Sequence, residues 1–391
     1  MRRVRVAFIM NRTEDGWLGG SNYLTNLLAS IAALPDRQIE TLLLVPPGAD
    51  ANIGTRFPAD KIIRTRLVLP RGRRRLAGMA TQRLFGRNLA MEWLARIHRI
   101  DLFSHVPPTG ARSPLKTLSW IPDFQHLRLP DFFGPEERAL RDRGHAAISE
   151  QSTLIVLSSH DAAADLLRAW PNTGGKARVL QFVSGVGHAK AQRPPEELAA
   201  EYGLDGPFFH VPNQLWKHKN HRVVIEALGL LKREGLTPVV LCTGHTEDHR
   251  YPGFLDELKA YAAAQDVAQN FRILGLIPYP DVVGLMHFAA AIINPSLFEG
   301  WSTTVEESKS TGKRILLSDI PVHREQSPER GTFFAANDPA ALAAAMKQVL
   351  ADYDPLEDEA FARRAAQALP LRLRAFAEAY QTIALEAAGG R

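Results

Sequence analysis

The chain has 391 residues, of which 45% are hydrophobic and 23% are charged. These proportions are those of a globular protein and exclude a largely disordered chain, and the length exceeds that of a typical single domain. A single cysteine, Cys242, excludes a disulfide framework and is typical of a reducing compartment. The net charge of +5 is unevenly distributed, because residues 1–100 carry 17 Lys and Arg against 7 Asp and Glu, whereas the last 211 residues carry 21 against 26.

Apolar segments that resemble buried strands alternate with longer amphipathic segments. In the first half, strands are predicted at 5–10, 40–45, 102–106, 115–121, 153–157 and 178–183, and helices at 21–34, 91–100, 134–150 and 160–170. After a Pro-rich joint, strands are predicted at 208–212, 239–243, 271–274, 290–294 and 314–317, and helices from 220, 254, 281 and 304 and over 339–351, 356–368 and 371–387. The repeated alternation predicts an α/β protein with two Rossmann-like, doubly wound domains.

The arginine cluster of the first half has three possible roles. It consists of Arg71, Arg73, Arg74 and Arg75. A solvated loop, a surface for anionic lipid or a lipid-linked diphosphate, and a nucleic-acid site all fit the charge. Because no nucleic-acid-binding motif accompanies these residues, we do not expect a nucleic-acid partner.

The termini and apolar segments indicate the location of the protein. No segment reaches the ~18 apolar residues of a membrane-spanning helix, and the apolar run at 6–10 is too short for a signal peptide. We therefore expect a cytoplasmic protein, peripheral on the inner membrane face where the arginine cluster docks.

The most informative segment is 294–307, where a strand ends in a loop that leads into a helix near Thr303. Free N–H groups at a helix N-terminus bind phosphate, and Gly300 permits close approach of the backbone. Glu299 and Glu307 lie eight residues apart and could each accept hydrogen bonds from paired sugar or ribose hydroxyls. The alternative is helix capping by Ser302 or Thr303, with Glu306 closing a capping box, but capping does not explain Glu299.

Three further segments come after predicted strands. Residues 211–221 open a helix and contain Gln214 and Lys219. Gly19 and Gly20 form a predicted turn that could direct N–H groups toward a phosphate, or serve only as a turn. Asp123 and His126 follow a strand of the first domain, and either a catalytic role or a structural turn is compatible with their pattern.

Residues 294–307 resemble the donor-site signature of glycosyltransferase family 4, the retaining nucleotide-sugar enzymes with the GT-B fold. The positions that match in register are Pro295, Ser296, Phe298, Glu299, Gly300 and Glu307, and residues 318–325 and 336–339 are similar to the segments that lie downstream of the signature in that family. The departures are Trp301, Ser302, Thr303 and Thr304, which replace Phe-Gly-Leu-Pro at backbone-contact positions. These departures imply an altered nucleotide or sugar preference.

The resemblance implies a role for each candidate residue. Lys219 and the helix N-terminus would hold the leaving diphosphate, Glu299 the transferred sugar and Glu307 the ribose. Gln214 stands where an arginine is usual, and Gly19 and Gly20 match a Gly-rich loop next to the donor phosphates. The catalytic candidates are Glu299, with Asp123 or His126 replacing the usual His-Asp. The donor-binding candidates are Gly19, Gly20, Gln214, Lys219, Gly300, Trp301, Ser302, Thr303, Thr304 and Glu307.

The resemblance also implies an organisation and an activity. It implies an acceptor-binding domain over 1–188, a nucleotide-sugar-binding domain over 189–368, and a C-terminal helix over 369–391 that packs back on the first domain. The expected activity is transfer of a hexose of mannose, rhamnose or glucose type to a glycan or lipid-linked acceptor in polysaccharide biosynthesis, with no cofactor and no metal. Alternatives are a nucleotide-sugar epimerase and a non-catalytic nucleotide- or glycan-binding protein.

Overall fold

The computed structural model describes residues 2–10, 18–69, 72–185 and 193–389. By its internal contacts the chain divides into two compact units. The first comprises Met1–His126, Gly134–Val183 and Leu371–Arg391, and the second comprises Leu127–Phe133 and Ser184–Pro370. Residues 127–133, which lie within the predicted first domain, thus belong to the second unit.

The first unit contains a seven-stranded parallel sheet. Its strands are β1 (Val4–Ile9), β2 (Ile39–Val45), β3 (Lys61–Arg64), β4 (Leu102–Ser104), β5 (Thr117–Ile121), β6 (Leu154–Leu157) and β7 (Ala177–Val179), in the order β3-β2-β1-β4-β5-β6-β7. The helices up to β7 are α1 (Leu18–Ala32), α2 (Ile53–Arg56), α3 (Arg73–Phe85), α4 (Leu89–His98), α5 (Gln125–Arg128), α6 (Pro135–Gln151) and α7 (His160–Ala169). The central strands are apolar along their length because helices cover both faces of such a sheet.

The second unit contains a six-stranded parallel sheet. Its strands are β8 (Phe208–Val211), β9 (Val239–Thr243), β10 (Phe271–Gly275), β11 (Ala291–Asn294), β12 (Ile315–Ser318) and β13 (Gly331–Phe334), in the order β10-β9-β8-β11-β12-β13. The remaining helices are α8 (Pro195–Tyr202), α9 (His221–Arg233), α10 (Phe254–Ala264), α11 (Tyr279–Phe288), α12 (Thr303–Thr311), α13 (Pro321–Gln326), α14 (Pro339–Ala351) and α15 (Pro355–Ala387). The two parallel sheets confirm the prediction of two Rossmann-like folds.

Two strands and several helices, α3 among them, were not predicted. Strands β3 and β13 lie at sheet edges, where one side is unpaired and a long apolar run is not needed. Helix α3 contains most of the arginine cluster, so the interpretation of these residues as a loop is wrong. Its first turn holds three arginines and no acidic residue, although cations near a helix N-terminus are unfavourable. Arg71 lies outside the described residues.

The glycine pair and the final proline also differ from expectation. Gly19 and Gly20 lie in the first turn of α1, not in a turn before it, and a Cβ on Gly19 would meet nothing within 4 Å. The tail forms one helix, α15, which continues through Pro370 instead of breaking there. Proline adopts a helical φ, but it cannot donate a backbone hydrogen bond and its ring crowds the carbonyl in the preceding turn. A long helix keeps its other hydrogen bonds and can therefore continue through one proline.

The last part of α15 forms hydrogen bonds with residues of the first unit. Tyr380 Oη donates a hydrogen bond of 2.8 Å to Ser104 Oγ at the end of β4. The backbone N–H of Gln38 donates to Gln381 Oε1 at 2.7 Å. No helix in the described ranges is both long and apolar enough to cross a membrane.

Candidate functional site

The loop between β11 and α12 carries the central residues of the site. Ser302 is the N-cap of α12, and its hydroxyl accepts a hydrogen bond from the N–H of Val305 at 3.4 Å. The predicted N-cap at Ser302 is therefore confirmed and coexists with the loop that holds Glu299, but the predicted capping box is not formed, because the N–H of Ser302 donates to Gln326 Oε1. In a parallel α/β sheet this loop lies at the carboxyl edge of the strands, where ligands bind.

Glu299 is a nearly buried carboxylate with a fixed cationic partner. Lys219 Nζ lies 2.6 Å from Glu299 Oε1, and the two side chains are 16% and 10% exposed. Ser296 Oγ lies 2.7 Å from the same carboxylate oxygen. Burial by itself raises the pKa of Glu299, but the positive charge and hydrogen bond of Lys219 outweigh it and lower the pKa. Glu299 is therefore ionised at neutral pH and held in one position.

A buried amide network fixes the N-terminus of α12 to the ends of two strands. Asn294 Nδ2 donates to Ser302 Oγ at 2.7 Å, and Asn294 Oδ1 accepts from Asn213 Nδ2 at 3.2 Å. Thr304 Oγ1 in turn donates to Asn213 Oδ1 at 3.0 Å. Neither Asn213 nor Asn294 was predicted as a site residue. The only signal in the sequence was their position at strand ends, since Asn213 follows the strand predicted at 208–212 and Asn294 is the last residue of the strand predicted at 290–294.

At the predicted anion site, the N–H group of Ser302 is already engaged in a hydrogen bond within the protein. The N–H of Ser302 donates to Gln326 Oε1 at 3.1 Å, and Gln326 Nε2 donates back to Ser302 O at 2.9 Å. Helix geometry leaves the N–H groups of Thr303 and Thr304 without an intrahelical acceptor. The N–H groups of these two residues, not that of Ser302, are thus the ones available to an anion. Trp301, also a predicted backbone-contact residue, is buried with 8% exposure, next to the half-buried Gly300.

Glu307 lies in the second turn of α12 and differs from Glu299 in its environment. In the described part of the chain its carboxylate has no hydrogen bond or ion pair, although the residue is half-buried. Desolvation raises the pKa of Glu307 to about 8. A partly buried carboxylate with unused acceptor oxygens is suited to ligand hydroxyls.

The loop after β8 positions Lys219 from the other side of the site. Asn220 has a left-handed backbone with φ of 56°, a region that asparagine tolerates better than most residues. Asn220 Nδ2 donates to Pro295 O at 3.2 Å and to Ala336 O at 2.8 Å. This side chain ties the Lys219 loop to the Glu299 loop. Gln214, at the start of the same loop, is half-buried.

The two other catalytic candidates lie in the first unit, just after β5. Asp123 Oδ1 accepts from the N–H of Gln125 at 3.0 Å and so begins α5. The His126 side chain is only 1% exposed, and its Nε2 lies 3.1 Å from Asp142 Oδ1. Burial lowers the pKa of His126 despite this carboxylate. Of the two, only Asp123, at 29% exposure, presents much of its side chain at the surface. A catalytic role for either residue stays a prediction.

The second unit also matches a known family. Residues 196–368 match the family model described as glycosyl transferases group 1. No curated protein sequence matches the chain at a significant level. The family match runs from α8 into the first half of α15 and includes the pair of Lys219 and Glu299.

Solved structures are similar over nearly the whole chain. A glycosyltransferase from Rickettsia africae has a TM-score of 0.68 at 16% identity, covering 98% of this chain and 99% of that one. HepE from Anabaena, solved in complex with UDP-glucose, has a TM-score of 0.68 at 13% identity, covering 97% and 100%. WaaG, a glycosyltransferase involved in lipopolysaccharide biosynthesis, has a TM-score of 0.61 at 16% identity, covering 98% of each chain. At these identities the similarity shows the fold.

Proposed function

We propose that this protein is a retaining hexosyltransferase. The premise is that residues 196–368 belong to the glycosyl transferases group 1 family and that the chain is a glycosyltransferase of the GT-B fold. The donor would be a nucleotide diphosphate sugar of mannose, rhamnose or glucose type. The acceptor would be a glycan or a lipid-linked saccharide of polysaccharide biosynthesis. The observation that carries the proposal is the ionised Glu299, held by Lys219 beside the N-terminus of α12.

The residues of the second unit are assigned to successive parts of the donor. The diphosphate binds the N–H groups at the start of α12 and Lys219, which it shares with Glu299. The hydroxyls of the transferred sugar bind Glu299, because an ionised carboxylate accepts hydrogen bonds strongly. The ribose hydroxyls bind Glu307, whose carboxylate oxygens accept no hydrogen bond from any residue that the structure describes. The complex of HepE with UDP-glucose supports this class of donor by similarity of fold.

The chemistry then requires little from ionisable side chains. The bond between the anomeric carbon and the diphosphate oxygen breaks, and a bond to the acceptor oxygen forms on the same face of the sugar. The acceptor hydroxyl proton passes to the leaving phosphate oxygen. Lys219 and the helix N–H groups stabilise the charge that develops on the diphosphate, which is the main electrostatic contribution expected of this site. The proposal needs no metal, so chelation with EDTA should leave transfer unchanged.

The first unit is assigned to the acceptor and to a membrane surface. Arg73 and Arg74 are exposed, and no described residue forms an ion pair with either. Seven large hydrophobic side chains of α3, α4 and the joint between them are also exposed, namely Leu76, Met79, Leu84, Phe85, Leu89, Trp93 and Ile97. Cationic and apolar side chains together fit an anionic bilayer. We therefore place the protein in the cytoplasm, peripheral on the inner membrane face.

The decisive experiment combines donor binding with turnover. A panel of nucleotide sugars is screened by thermal shift, since a donor at 100 times its dissociation constant adds about 2.7 kcal/mol. With the donor found, Glu299→Gln should lose transfer by at least about 100-fold while the nucleoside diphosphate still binds. Glu257→Gln, at an exposed position of the same unit, is the control.

The other outcomes identify the rival functions. Donor binding without any product would indicate a non-catalytic binding protein. Conversion of the free nucleotide sugar to its epimer, without acceptor, would indicate an epimerase. Full transfer activity in Glu299→Gln would reject the role assigned to this carboxylate.

A further inference from the structure

The first unit contains a cavity that the donor site does not use. Its volume is about 620 Å³, within the range of ~300–1,000 Å³ typical of small-molecule sites. It is lined by residues from the ends of β1 and β4, from α1 and α2, and from α3. All of its lining residues belong to the first unit.

The wall of the cavity is largely hydrocarbon. Aliphatic and aromatic side chains dominate it, among them Leu24, Phe57, Val68 and Met91, each less than 10% exposed. Such a wall gains free energy by contact with another apolar surface, in proportion to the area removed from water. A saccharide, which presents hydroxyls on most sides, would leave the hydroxyls that face this hydrocarbon without hydrogen bonds.

Several polar side chains of the wall are engaged with neighbouring groups, and Arg56 Nη2 donates to Ser21 Oγ at 2.9 Å. Gln82 Nε2 donates to Pro108 O at 3.1 Å, and Asn88 Nδ2 donates to Gln82 Oε1 at 3.3 Å. Tyr23 Oη lies 2.7 Å from His105 Nε2, and Ser104 Oγ lies 2.8 Å from His105 Nδ1. These contacts occupy Gln82, Asn88 and His105, three of the side chains that could otherwise direct a polar ligand.

The cavity reaches the exposed face of α3 and carries cations there. Met79 lines the cavity and is nevertheless 53% exposed, so it lies at the mouth. Arg56 and Arg75 also line the cavity, and no described residue forms an ion pair with either. The acidic residue of the lining is Asp50, which is exposed and accepts a hydrogen bond from the N–H of Asn52 at 2.9 Å. The cationic charge therefore exceeds the anionic charge at this site.

We propose that this cavity binds the hydrocarbon chain of an anionic amphiphile, with the phosphate of the amphiphile at Arg56 and Arg75. The inference rests on the proposed function, because the amphiphile would be the lipid carrier of the saccharide acceptor. The exposed apolar side chains of α3 lie beside the mouth of the cavity. They allow the hydrocarbon chain of the amphiphile to pass from a bilayer into the cavity without crossing water. The cavity thus makes the first unit selective for acceptors that carry a lipid.

The test uses monomeric alkyl phosphates below their micelle-forming concentration. Trp120 lines the cavity, so a bromine-labelled dodecyl phosphate should quench its fluorescence saturably, and Trp120→Phe should remove the quenched signal. Affinity should rise about fourfold for each added methylene between octyl and dodecyl phosphate. Inorganic phosphate should not compete measurably. Affinity that is independent of chain length would overturn the proposal.

Two variants at the mouth test the location of the site. Met79→Asp and Arg75→Glu should each weaken dodecyl phosphate binding by at least tenfold. Leu140→Asp and Arg143→Glu, at exposed positions of α6 in the same unit, are the matched controls and should bind as the parent does. Met79 and Leu140 are both exposed, so loss of folding is not expected, and circular dichroism checks it. Unchanged binding in both mouth variants would reject this cavity as the site.

The source of the hydrocarbon chain and the donor reaction are tested separately. A polyprenyl phosphate should displace the labelled probe, whereas displacement by phosphatidylglycerol vesicles alone would reject the acceptor assignment. Nucleotide-sugar binding is measured on the same protein. Donor binding and transfer without probe binding would overturn only the cavity, and probe binding without any donor would overturn the proposed function.

Discussion

Lys219 and Glu299 form a close, nearly buried ion pair between residues that lie 80 positions apart in the sequence. The loop after β8 supplies the cation and the loop after β11 supplies the carboxylate, and these two strands are neighbours in the sheet. Because each charge is largely removed from water, each depends on the other for its stability. The pair therefore links the stability of the second unit to the state of the proposed donor site.

Removal of the cation should destabilise the protein more than removal of both charges. Lys219→Met leaves Glu299 buried and unpaired, so we expect the free energy of unfolding to fall by about 3–5 kcal/mol. The double variant Lys219→Met and Glu299→Gln should recover a large part of this loss. Urea unfolding at neutral pH measures both. Lys347→Met, in an exposed ion pair with Glu234, is the control and should cost less than about 1 kcal/mol.

The lowered pKa of Glu299 predicts an acid dependence of stability. In the unfolded chain the pKa is near its ordinary value of 4.5, and in the folded protein it is lower. The unfolded state therefore binds more protons, and the stability contributed above pH 4.5 is lost as the pH falls through the folded pKa. Compared with the parent, Glu299→Gln should lose less stability in this acid range. The free energy of unfolding is measured by urea titration at several pH values. Equal losses in both proteins would contradict a lowered pKa of Glu299.

Donor binding should release a proton from Glu307. At about pH 7.5 the free carboxyl, with a pKa of about 8, is mostly protonated, and the proposed ribose hydrogen bonds favour its ionised form. Calorimetry of nucleoside diphosphate binding in HEPES and in Tris, whose ionisation enthalpies differ, should show a release of up to about one proton. The release should vanish at about pH 9.5, where the group is already ionised. In Glu307→Gln it should be absent at both pH values.

His126 should affect stability more than turnover. Its pKa in the folded protein lies below the ordinary 6.5, so the unfolded state binds more protons between the two values, and stability falls as the pH decreases through this window. His126→Gln should remove this dependence and reduce transfer by less than about tenfold. A loss of about 100-fold in kcat with unchanged stability would instead support the catalytic role expected from the sequence.

The arginines of α3 should control binding to anionic vesicles. Each arginine near an anionic surface contributes about 1 kcal/mol, so the double change Arg73→Ala and Arg74→Ala should weaken binding about 30-fold. Raised salt should weaken the parent more than the variant. Vesicle sedimentation measures both effects, and Arg143→Ala is the control. Parent-like binding by the double variant would reject the proposed membrane surface.

The sequence predicted every central strand and two of the four edge strands, β7 and β10. Buried strands such as β9 are apolar on both faces, and the segment 239–243 was predicted with the observed boundaries. The two edge strands that were missed, β3 and β13, are four residues long and each has a single buried residue, so they lack this apolar signal. The break expected at Pro370 was wrong for a different reason. A rule about local propensity was overridden by the packing of a long helix.

The residue types of the candidate site could be predicted from the sequence, but the contacts between its side chains could not. The pattern around Glu299 and Gly300 indicated a helix N-terminus with carboxylates, and the structure has both. No local pattern indicated that Lys219 would neutralise Glu299 or that Asn213 would anchor Thr304. Such pairs join segments that are distant in the chain. Their contact depends on strand order.

What the sequence determined by itself was the alternation of strands and helices, the fold class and the residue types at the strand ends, because each of these is set by short-range periodicity and backbone preference. Only the tertiary structure decided which charges are paired, which carboxylate is left without a partner and where an apolar cavity opens. Those properties depend on burial and on distances between remote segments, and they arise only when the chain has packed.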